Sequence, residues 1–274
     1  MKTGKRLRVG AVSYLNTKPL VYRLEEIAPD VELVFDLPSR LADSLSVGNL
    51  DVALIPSVEY LQDPTYSIVS DACIACRGPV LSVKLLSRVP VREIRSVALD
   101  EGSRTSVALL RILLSQQYDV LPEFEALPIG ADPCDIQTDA VLLIGDRAIH
   151  PPIGSFVEDW DLGDAWCRWA KLPFVFAMWT ARPNIDVGRL GLVLQEARDA
   201  GVSHLEEIAQ CEAATVQLDP ETCLEYLRDN LHFHLGERER QALQLFQQQA
   251  GKLADLVPSP ALRSCASRNS SVKS

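Results

Sequence analysis

The sequence predicts a two-lobed α/β fold. Each lobe is expected to be a mixed, mostly parallel β-sheet flanked by helices, with a ligand cleft between the lobes. Strand-like apolar runs alternate with helical patterns from residue 7 onward, and a second alternating unit begins near residue 96. The chain has 274 residues, which is enough for one large or two modest domains.

The first unit alternates strand and helix three times within about 60 residues. Strands are predicted at residues 7–12, 31–37 and 52–55, and helices are predicted to begin near Pro19, Pro38 and Pro56. Proline suits the first turn of a helix because its fixed φ is helical and its missing N–H has no partner there. Parallel strands need crossover connections, which are usually helices, so this alternation predicts a mostly parallel sheet.

The rest of the chain completes a second lobe and returns to the first. Further strands are predicted at residues 68–75, 81–87, 96–99, 124–127, 140–144 and 174–180, with a helix at 106–117. From Val187 onward the apolar spacing is nearly all helical. We expect residues 1–88 and 179–257 to form the first lobe, residues 89–178 the second, and the serine-rich residues 258–274 a disordered tail.

The charge distribution argues against a nucleic-acid partner. The formal net charge is −10, and residues 1–8 and 258–274 together carry seven cations and no acid. The rest of the chain therefore has 20 Lys and Arg against 37 Asp and Glu, a net charge of −17. A surface that follows phosphates needs the opposite balance. An anionic ligand would have to be held by local donors against this field.

Apolar runs in the chain are short. The longest uncharged apolar stretch, residues 172–181, has 10 residues, whereas a membrane-spanning helix needs about 20. The run at residues 9–12 has four residues, against roughly 7–15 in the core of a signal peptide. We therefore expect no membrane partner and a cytoplasmic location.

Cysteine and histidine give no support for a metal or redox site. The seven cysteines are scattered, and Cys73 and Cys76 form a single C-x-x-C in an apolar, strand-like run, so they are predicted to be strand residues rather than a redox pair. His232 and His234 lie two apart on a predicted helix and would point to different faces. With no phosphate-binding, dinucleotide or zinc motif, we expect no metal and no cofactor.

The strongest candidate binding turn lies at residues 100–106, where a predicted strand runs into a helix. It contains Ser103, Arg104, Thr105 and Ser106. Free backbone N–H groups and the positive end of the helix dipole favour an anion at such a position. Helix capping is the alternative, but capping needs only one hydroxyl, so the run favours a carboxylate or phosphate ligand.

Other strand-ending turns carry weaker candidates, and a purely structural role stays open for each of them. The turn after the first strand contains Asn16, which can both donate and accept hydrogen bonds. The remaining candidates are Ser13, Tyr14, Ser39, Pro56, Ser57, Ser82 and Asp146. Ser82 lies just after the Gly78-Pro79 turn, within the apolar run predicted as the strand at residues 81–87, and the others lie at the carboxyl end of a strand or in the turn that follows it, where α/β sheets bind ligands.

Five ordered segments together resemble a known family. They are residues 9–20, residues 51–56 with Glu59 and Tyr60, residues 77–83, residues 103–110 and residues 143–146. These segments are similar to the chorismate dehydratases of the futalosine route to menaquinone. The resemblance implies a fold like that of type 2 periplasmic binding proteins. It also implies loss of water from chorismate to give 3-[(1-carboxyvinyl)oxy]benzoate, without metal or cofactor.

The resemblance also suggests residue roles. It points to Asn16 and Ser82 as the catalytic polar pair, while the hydroxyl-rich turn with Arg104 would hold a substrate carboxylate. The general base stays open between Asp146 and a carboxylate of the substrate itself. Cys76 departs from the family pattern, which has a small hydroxyl residue at that position.

Two alternative functions stay open at this point. A cytoplasmic module that only binds or senses a small carboxylate would have the same fold and the same anion-binding turn. The related 1,4-dihydroxy-6-naphthoate synthase resembles this chain less closely, because its turn after the first strand resembles Pro-Asn-Asp whereas this chain has Leu15, Asn16 and Thr17.

Overall fold

The computed structural model describes residues 6–150, 154 and 156–256. The predicted tail at residues 258–274 lies outside these described residues. No helix within the described residues has both the length and the apolar character needed to cross a membrane.

Eleven strands are present in the described part of the chain. They are β1 (Leu7–Val12), β2 (Val31–Asp36), β3 (Val52–Pro56), β4 (Ser67–Cys76), β5 (Val83–Ser87), β6 (Ser96–Asp100), β7 (Glu123–Leu127), β8 (Ala140–Ile144), β9 (Glu158–Asp161), β10 (Phe174–Ala181) and β11 (His232–His234). The α-helices are α1 (Leu24–Ile27), α2 (Pro38–Ser46), α3 (Ser57–Gln62), α4 (Thr105–Tyr118), α5 (Asp146–Ile149), α6 (Leu162–Ala170), α7 (Leu190–Ser203), α8 (Leu205–Glu212), α9 (Pro220–Glu225) and α10 (Glu237–Leu256). Two short 3₁₀ segments, Leu15–Val21 and Val91–Glu93, and a π-helical turn, Tyr226–Asn230, complete the fold.

The strands form two separate sheets, one in each lobe. The first has the order β11-β4-β10-β3-β1-β2 and the second the order β7-β6-β8-β5-β9. Strand β1 runs parallel to β2 and β3, and β6 runs parallel to β7 and β8. Strands β10 and β5 are antiparallel to both of their neighbours, and β11 is antiparallel to β4. Both sheets are therefore mixed, with more antiparallel pairing than the alternating pattern alone implies.

The chain passes between the two lobes twice, and the positions of these two crossings correct the predicted lobe boundaries. Strand β5 ends before the predicted boundary at residue 88, yet it pairs within the second sheet. Strand β10 spans the predicted boundary at residue 178, yet all of it pairs within the first sheet. The crossings lie at residues 77–82 and 171–173. Both strands are almost entirely buried, so their apolar patterns do not reveal which sheet they join.

The C-terminal part contains one strand that the helical prediction missed. His232 and His234 lie on β11 rather than on a helix, with an irregularity in pairing between them. Their partners differ: His232 Nε2 lies 3.6 Å from Glu239 and His234 Nδ1 lies 3.2 Å from Asp71. The helical interpretation of these residues was wrong because a three-residue strand is too short to show its own periodicity.

An aromatic cluster joins the lobes beside the second crossing. Trp166 of α6 packs edge-on against Phe174 of β10 at 5.1 Å and against Phe246 of α10 at 6.1 Å between ring centroids. The Trp166 indole N–H donates to the Pro173 carbonyl at 2.9 Å. All three rings are fully buried. Such pairs add to the burial energy of each ring, so the second lobe is anchored to the first at this point.

Candidate functional site

A cavity lies between the two sheets and receives side chains from both lobes. Its empty volume, including the open mouth, is about 520 Å³, which is within the usual range for small-molecule sites. Eight of the twelve predicted site residues line it: Tyr14, Asn16, Pro56, Ser82, Ser103, Arg104, Thr105 and Ser106. Apolar side chains from Val12, Ile74, Val83, Ile144 and Phe176 form much of the remaining wall.

Four predicted residues do not line the cavity. Ser13 is exposed, and Ser39 is buried behind Pro38 at the start of α2. The Ser57 hydroxyl donates to the Val175 carbonyl at 2.8 Å, so it joins α3 to β10. The Asp146 carboxylate accepts a hydrogen bond from the Leu15 N–H at 3.2 Å. Ser57 and Asp146 therefore hold the elements that bear cavity residues.

Asn16 and Ser82 form the part of the lining that we call the turn wall. Asn16 lies on the 3₁₀ segment after β1, and Ser82 lies at the end of the first crossing between the lobes. Thr17 Oγ1 donates to Asn16 Oδ1 at 3.3 Å. The Ser82 carbonyl accepts from the Gly145 N–H at 2.9 Å. The fold thus brings to one cavity two polar side chains that are 66 positions apart in the sequence.

A strained turn carries Ser82. Leu81 has a φ of 59°, which costs an L-residue energy and is found most often where the surroundings enforce it. The Asp161 carboxylate accepts from the N–H groups of Val80 at 2.9 Å and of Leu81 at 2.7 Å, and it caps α6 through the Asp164 N–H at 2.9 Å. Burial raises the pKa of Asp161, although the three N–H donors act in the opposite direction and lower it. Asp161 therefore holds the backbone on which Ser82 depends.

Ser103, Arg104, Thr105 and Ser106 form the part of the lining at the start of α4, which we call the helix wall. The Ser103 hydroxyl is buried and has no hydrogen-bond partner among the described residues. Thr105 Oγ1 accepts from the Val58 N–H of the first lobe at 3.2 Å. Buried hydroxyls are normally paired, so the Ser103 hydroxyl beside the N-terminus of α4 is a donor available to a ligand anion.

Arg104 is already paired across the cleft. Its guanidinium donates to both carboxylate oxygens of Asp43 at 2.8 and 2.9 Å and lies 3.3 Å from Glu59. Asp43 belongs to α2 and Glu59 to α3, both in the first lobe. Burial disfavours the charge of Arg104, but the two carboxylates outweigh it and raise the pKa of the guanidinium. In this structure Arg104 therefore closes the cleft.

Tyr14 reaches from the first lobe to the second over two glycines. A Cβ atom at Gly145 would lie 2.7 Å from the Tyr14 ring, and one at Gly102 would lie 3.2 Å from its hydroxyl. Gly145 also has a φ of 62° and a ψ of −148°, a region essentially restricted to glycine. Burial, with Asp100 and Asp146 acting in the same direction, raises the pKa of Tyr14, so a neutral phenol lies over the cavity.

Cys73 and Cys76 are buried on β4, which confirms their prediction as strand residues. The neighbour of Cys76 is Cys167, whose thiol lies 3.9 Å from the Cys76 carbonyl. Burial raises the pKa of Cys73, which opposes thiolate chemistry. Within the described residues, no group of three or more His, Cys, Asp or Glu side chains is placed to hold a metal ion.

Sequence reasoning missed Asp161 as a residue that supports the site. The available signal was its position three residues before Asp164, at the start of a helical pattern, which is typical of an N-cap. That signal indicates a cap but not the second role, because Val80 and Leu81 are about 80 positions away.

Solved structures similar to this chain show the fold. Protein AF1704 from Archaeoglobus fulgidus has a TM-score of 0.71 at 17% identity, covering 93% of this chain and 99% of that chain. The periplasmic aliphatic sulphonate binding protein SsuA from Escherichia coli has a TM-score of 0.61 at 17% identity, covering 93% and 89%. The predicted fold of the periplasmic-binding-protein type is confirmed.

Sequence comparisons show the family. The model of a family described as menaquinone biosynthesis matches residues 7–252. A curated protein from Thermus thermophilus, named chorismate dehydratase, is 32% identical over 263 residues, covering 89% of this chain and 94% of that protein. A match over nearly the whole described chain, with the expected fold and a cleft between the lobes, places the chain: it belongs to the menaquinone biosynthesis family.

Proposed function

We propose that this protein is a lyase that removes water from chorismate to give 3-[(1-carboxyvinyl)oxy]benzoate. The observation that carries the proposal is the cavity lined by Asn16 and Ser82 together with the helix wall and its unpaired Ser103 hydroxyl. The name of the Thermus thermophilus relative supports the same reaction. A biosynthetic role of this kind also supports the cytoplasmic location expected from the sequence.

The substrate's chemistry suits this arrangement. Chorismate has two carboxylates and a secondary hydroxyl on a cyclohexadiene ring. A C–H bond breaks at the carbon that bears the enolpyruvyl ether, and its electron pair forms a new ring double bond. The neighbouring C–OH bond breaks, and the hydroxide leaves with one proton as water. The product ring is aromatic, which supplies the driving force, so the protein's task is orientation and charge stabilisation.

Each wall has a distinct part in the proposed reaction. The helix wall would hold one carboxylate through the Ser103 hydroxyl and the free N–H groups at the start of α4. The turn wall would orient the leaving hydroxyl, because an amide and a hydroxyl can each donate a hydrogen bond to it. The apolar lining and the closed cleft would keep water away from the ring.

The proposed base is a carboxylate of the substrate. In the part of the chain that the structure describes, the side chains lining the cavity include no carboxylate and no imidazole. Asp146 was the candidate base by its position in the sequence, but its carboxylate accepts a hydrogen bond from the Leu15 N–H. An internal carboxylate next to the C–H bond would have the proximity advantage of any intramolecular base.

The test is to incubate the purified protein with chorismate and to separate products by chromatography with mass detection. A product lighter by one water, with the enolpyruvyl ether retained, supports the proposal. Ser13→Ala is a matched control for Ser82→Ala because the Ser13 side chain lies outside the cavity. Tight binding of unchanged chorismate by folded protein would overturn the proposal and indicate a binding module.

A further inference from the structure

The two residues of the turn wall come from different lobes. Asn16 lies on the 3₁₀ segment that follows β1 of the first sheet, whereas Ser82 directly precedes β5 of the second sheet. Both side chains line the cavity. Their relative position therefore depends on how the lobes dock against each other, and contacts between the lobes near these two residues decide it.

One dipeptide of the second lobe, Gly145-Asp146, is hydrogen-bonded next to both residues of the turn wall. It directly follows β8. The Gly145 N–H donates to the Ser82 carbonyl at 2.9 Å, and Asp146 Oδ1 accepts from the Leu15 N–H at 3.2 Å. Leu15 is the residue before Asn16. Two consecutive residues thus hold the backbone at Ser82 and the backbone beside Asn16.

The backbone at Gly145 suits this double contact. Its φ of 62° and ψ of −148° lie in a region essentially restricted to glycine. The absence of a Cβ atom also lets the first lobe approach, because a Cβ atom there would lie 2.7 Å from the Tyr14 ring. Tyr14 is two residues before Asn16. The chain that carries Asn16 therefore packs directly on this dipeptide as well as bonding to it.

Helix α5 contacts the first lobe at both of its ends. Asp146 is its first residue. His150 directly follows its last residue, and His150 Nε2 lies 2.8 Å from the Val216 carbonyl, between α8 and α9. A carbonyl oxygen can only accept, so the ring N–H is the donor. The bond from Leu15 to Asp146 is thus part of a larger contact between the lobes that exists when the cleft is closed.

We propose that Asp146 is a positioning residue: in the closed protein its carboxylate fixes Asn16 relative to Ser82. This inference rests on the proposed dehydration of chorismate. Asp146 lies outside the cavity lining, so it acts through the Leu15 backbone rather than on the substrate. A displacement of about 1 Å at a reacting centre can cost a large part of the rate. Loss of a hydrogen bond one residue from Asn16 is therefore expected to lower kcat.

The test compares two substitutions of Asp146. Asp146→Ala removes the acceptor of the Leu15 N–H, and we expect kcat for chorismate to fall about tenfold while KM changes less than about twofold. Asp146→Asn keeps an oxygen that can accept the same bond, so its kcat should stay within about threefold of the wild type.

The asparagine variant separates positioning from general-base catalysis. An amide oxygen can replace a carboxylate as a hydrogen-bond acceptor, but an amide cannot take a proton from the substrate. A kcat of Asp146→Asn as low as that of Asp146→Ala would therefore overturn the inference. A kcat of Asp146→Ala equal to that of the wild type would overturn it as well.

Asp139→Ala is the matched control, because Asp139 lies at the other end of the same strand. It directly precedes β8, and its Oδ2 accepts from the N–H groups of Arg95 and Ser96 at 2.7 and 3.1 Å. The substitution removes the same kind of bond within the second lobe, away from the cavity. We expect a kcat within about twofold of the wild type. A kcat loss equal to that of Asp146→Ala would indicate a general effect on the fold and overturn the inference.

A double-mutant cycle tests whether Asp146 acts through Asn16. In an Asn16→Ala background, the additional effect of Asp146→Ala on kcat should shrink to less than about twofold, because the side chain that it positions is absent. Full additivity of the two changes would overturn the inference, since it would mean that Asp146 acts independently of Asn16.

Crystal structures of the wild type and of Asp146→Ala give a readout that does not depend on the reaction. A shift of the Asn16 side chain relative to Ser82 by more than about 0.5 Å supports positioning, and an unchanged arrangement overturns it. Wild-type protein that leaves chorismate unchanged would contradict the proposed function alone, because the crystallographic result stands without it. Active wild-type protein with an equally active Asp146→Ala variant would contradict the positioning role alone.

Discussion

The two walls of the cavity use polar residues in opposite ways. In the helix wall, Arg104 is paired with two carboxylates of the first lobe, and Thr105 is paired with the Val58 N–H. Two of the four polar side chains of this wall therefore bind the other lobe. In the turn wall, the supporting bonds are made by other residues, Asp161 and Asp146, and the side chains of Ser82 and Asn16 face the cavity. A polar residue in a binding turn is therefore a ligand contact only if the fold leaves it free.

The largest expected effect is at the turn wall. Asn16→Ala and Ser82→Ala should each lower kcat with chorismate by more than about tenfold, because each removes an oriented donor from the reacting centre. Steady-state kinetics and a thermal melt check this, with a melting temperature within about 2 °C of the wild type. An unchanged kcat would show that the substituted residue takes no part in the reaction, and it would contradict the proposed difference in role between the two walls.

The next effect concerns the support of that wall. Asp161→Asn replaces an acceptor of three N–H bonds with an amide that presents donors to some of them. We expect a loss of about 1–3 kcal/mol in stability and a fall in kcat of about fivefold as the Leu81 turn relaxes. Denaturant melts and kinetics measure both. Asp164→Asn is the control, because the Asp164 side chain pairs with Arg168 in the same helix; an equal kcat loss there would contradict a specific role for Asp161.

A smaller effect distinguishes closure from ligand binding at Arg104. If Arg104 acts by closing the cleft, Arg104→Ala and the double variant Asp43→Asn with Glu59→Gln should each raise KM about threefold, with kcat nearly unchanged. Initial-rate kinetics over a range of chorismate concentrations measure this. If the double variant instead lowers KM, Arg104 binds a substrate carboxylate once its two acidic partners are neutralised. That result would contradict the proposed role of Arg104 in closing the cleft.

The smallest effect is expected at the departure from the family pattern. Cys76→Ser should change kcat and KM by less than about twofold, because the thiol packs beside Gly163 and Cys167 outside the cavity lining. The same kinetic assay measures it. A loss above about tenfold would show that the thiol acts at the turn wall through the adjacent crossing.

Local patterns were sufficient for most of the fold. Apolar strand patterns followed by a proline at or just before a helix start, as at Pro38 and Pro56, can be recognised within a few residues. Sheet membership of β5 and β10 does not, because a strand buried on both faces has the same apolar pattern in either sheet. The 3₁₀ segment Leu15–Val21 replaced the helix expected near Pro19 for a similar reason: it is too short for propensity to decide its type.

The candidate site was predictable where its residues lie in strand-ending turns, and not where they act from a distance. Asn16 and the helix wall carry local signals, whereas Ser82 was singled out by the family resemblance. Asp161 lies about 80 positions from Ser82, and its contacts with the backbone before Ser82 exist only after the second lobe has folded. The pairing of Arg104 with Asp43 and Glu59 is equally invisible in the sequence, since an arginine in an anion-binding turn has the same pattern whether it is free or paired.

The position of Ser82 at a crossing between the lobes has a mechanical consequence. The crossings at residues 77–82 and 171–173 are the hinge about which one lobe would rotate relative to the other. Residues close to a hinge axis move least during such a rotation. Ser82 would then move little during opening, while the residues near the start of α4 would move further. A substrate could dock first against this stationary point and be enclosed by the arriving helix, so that the order of contacts is built into the path of the chain.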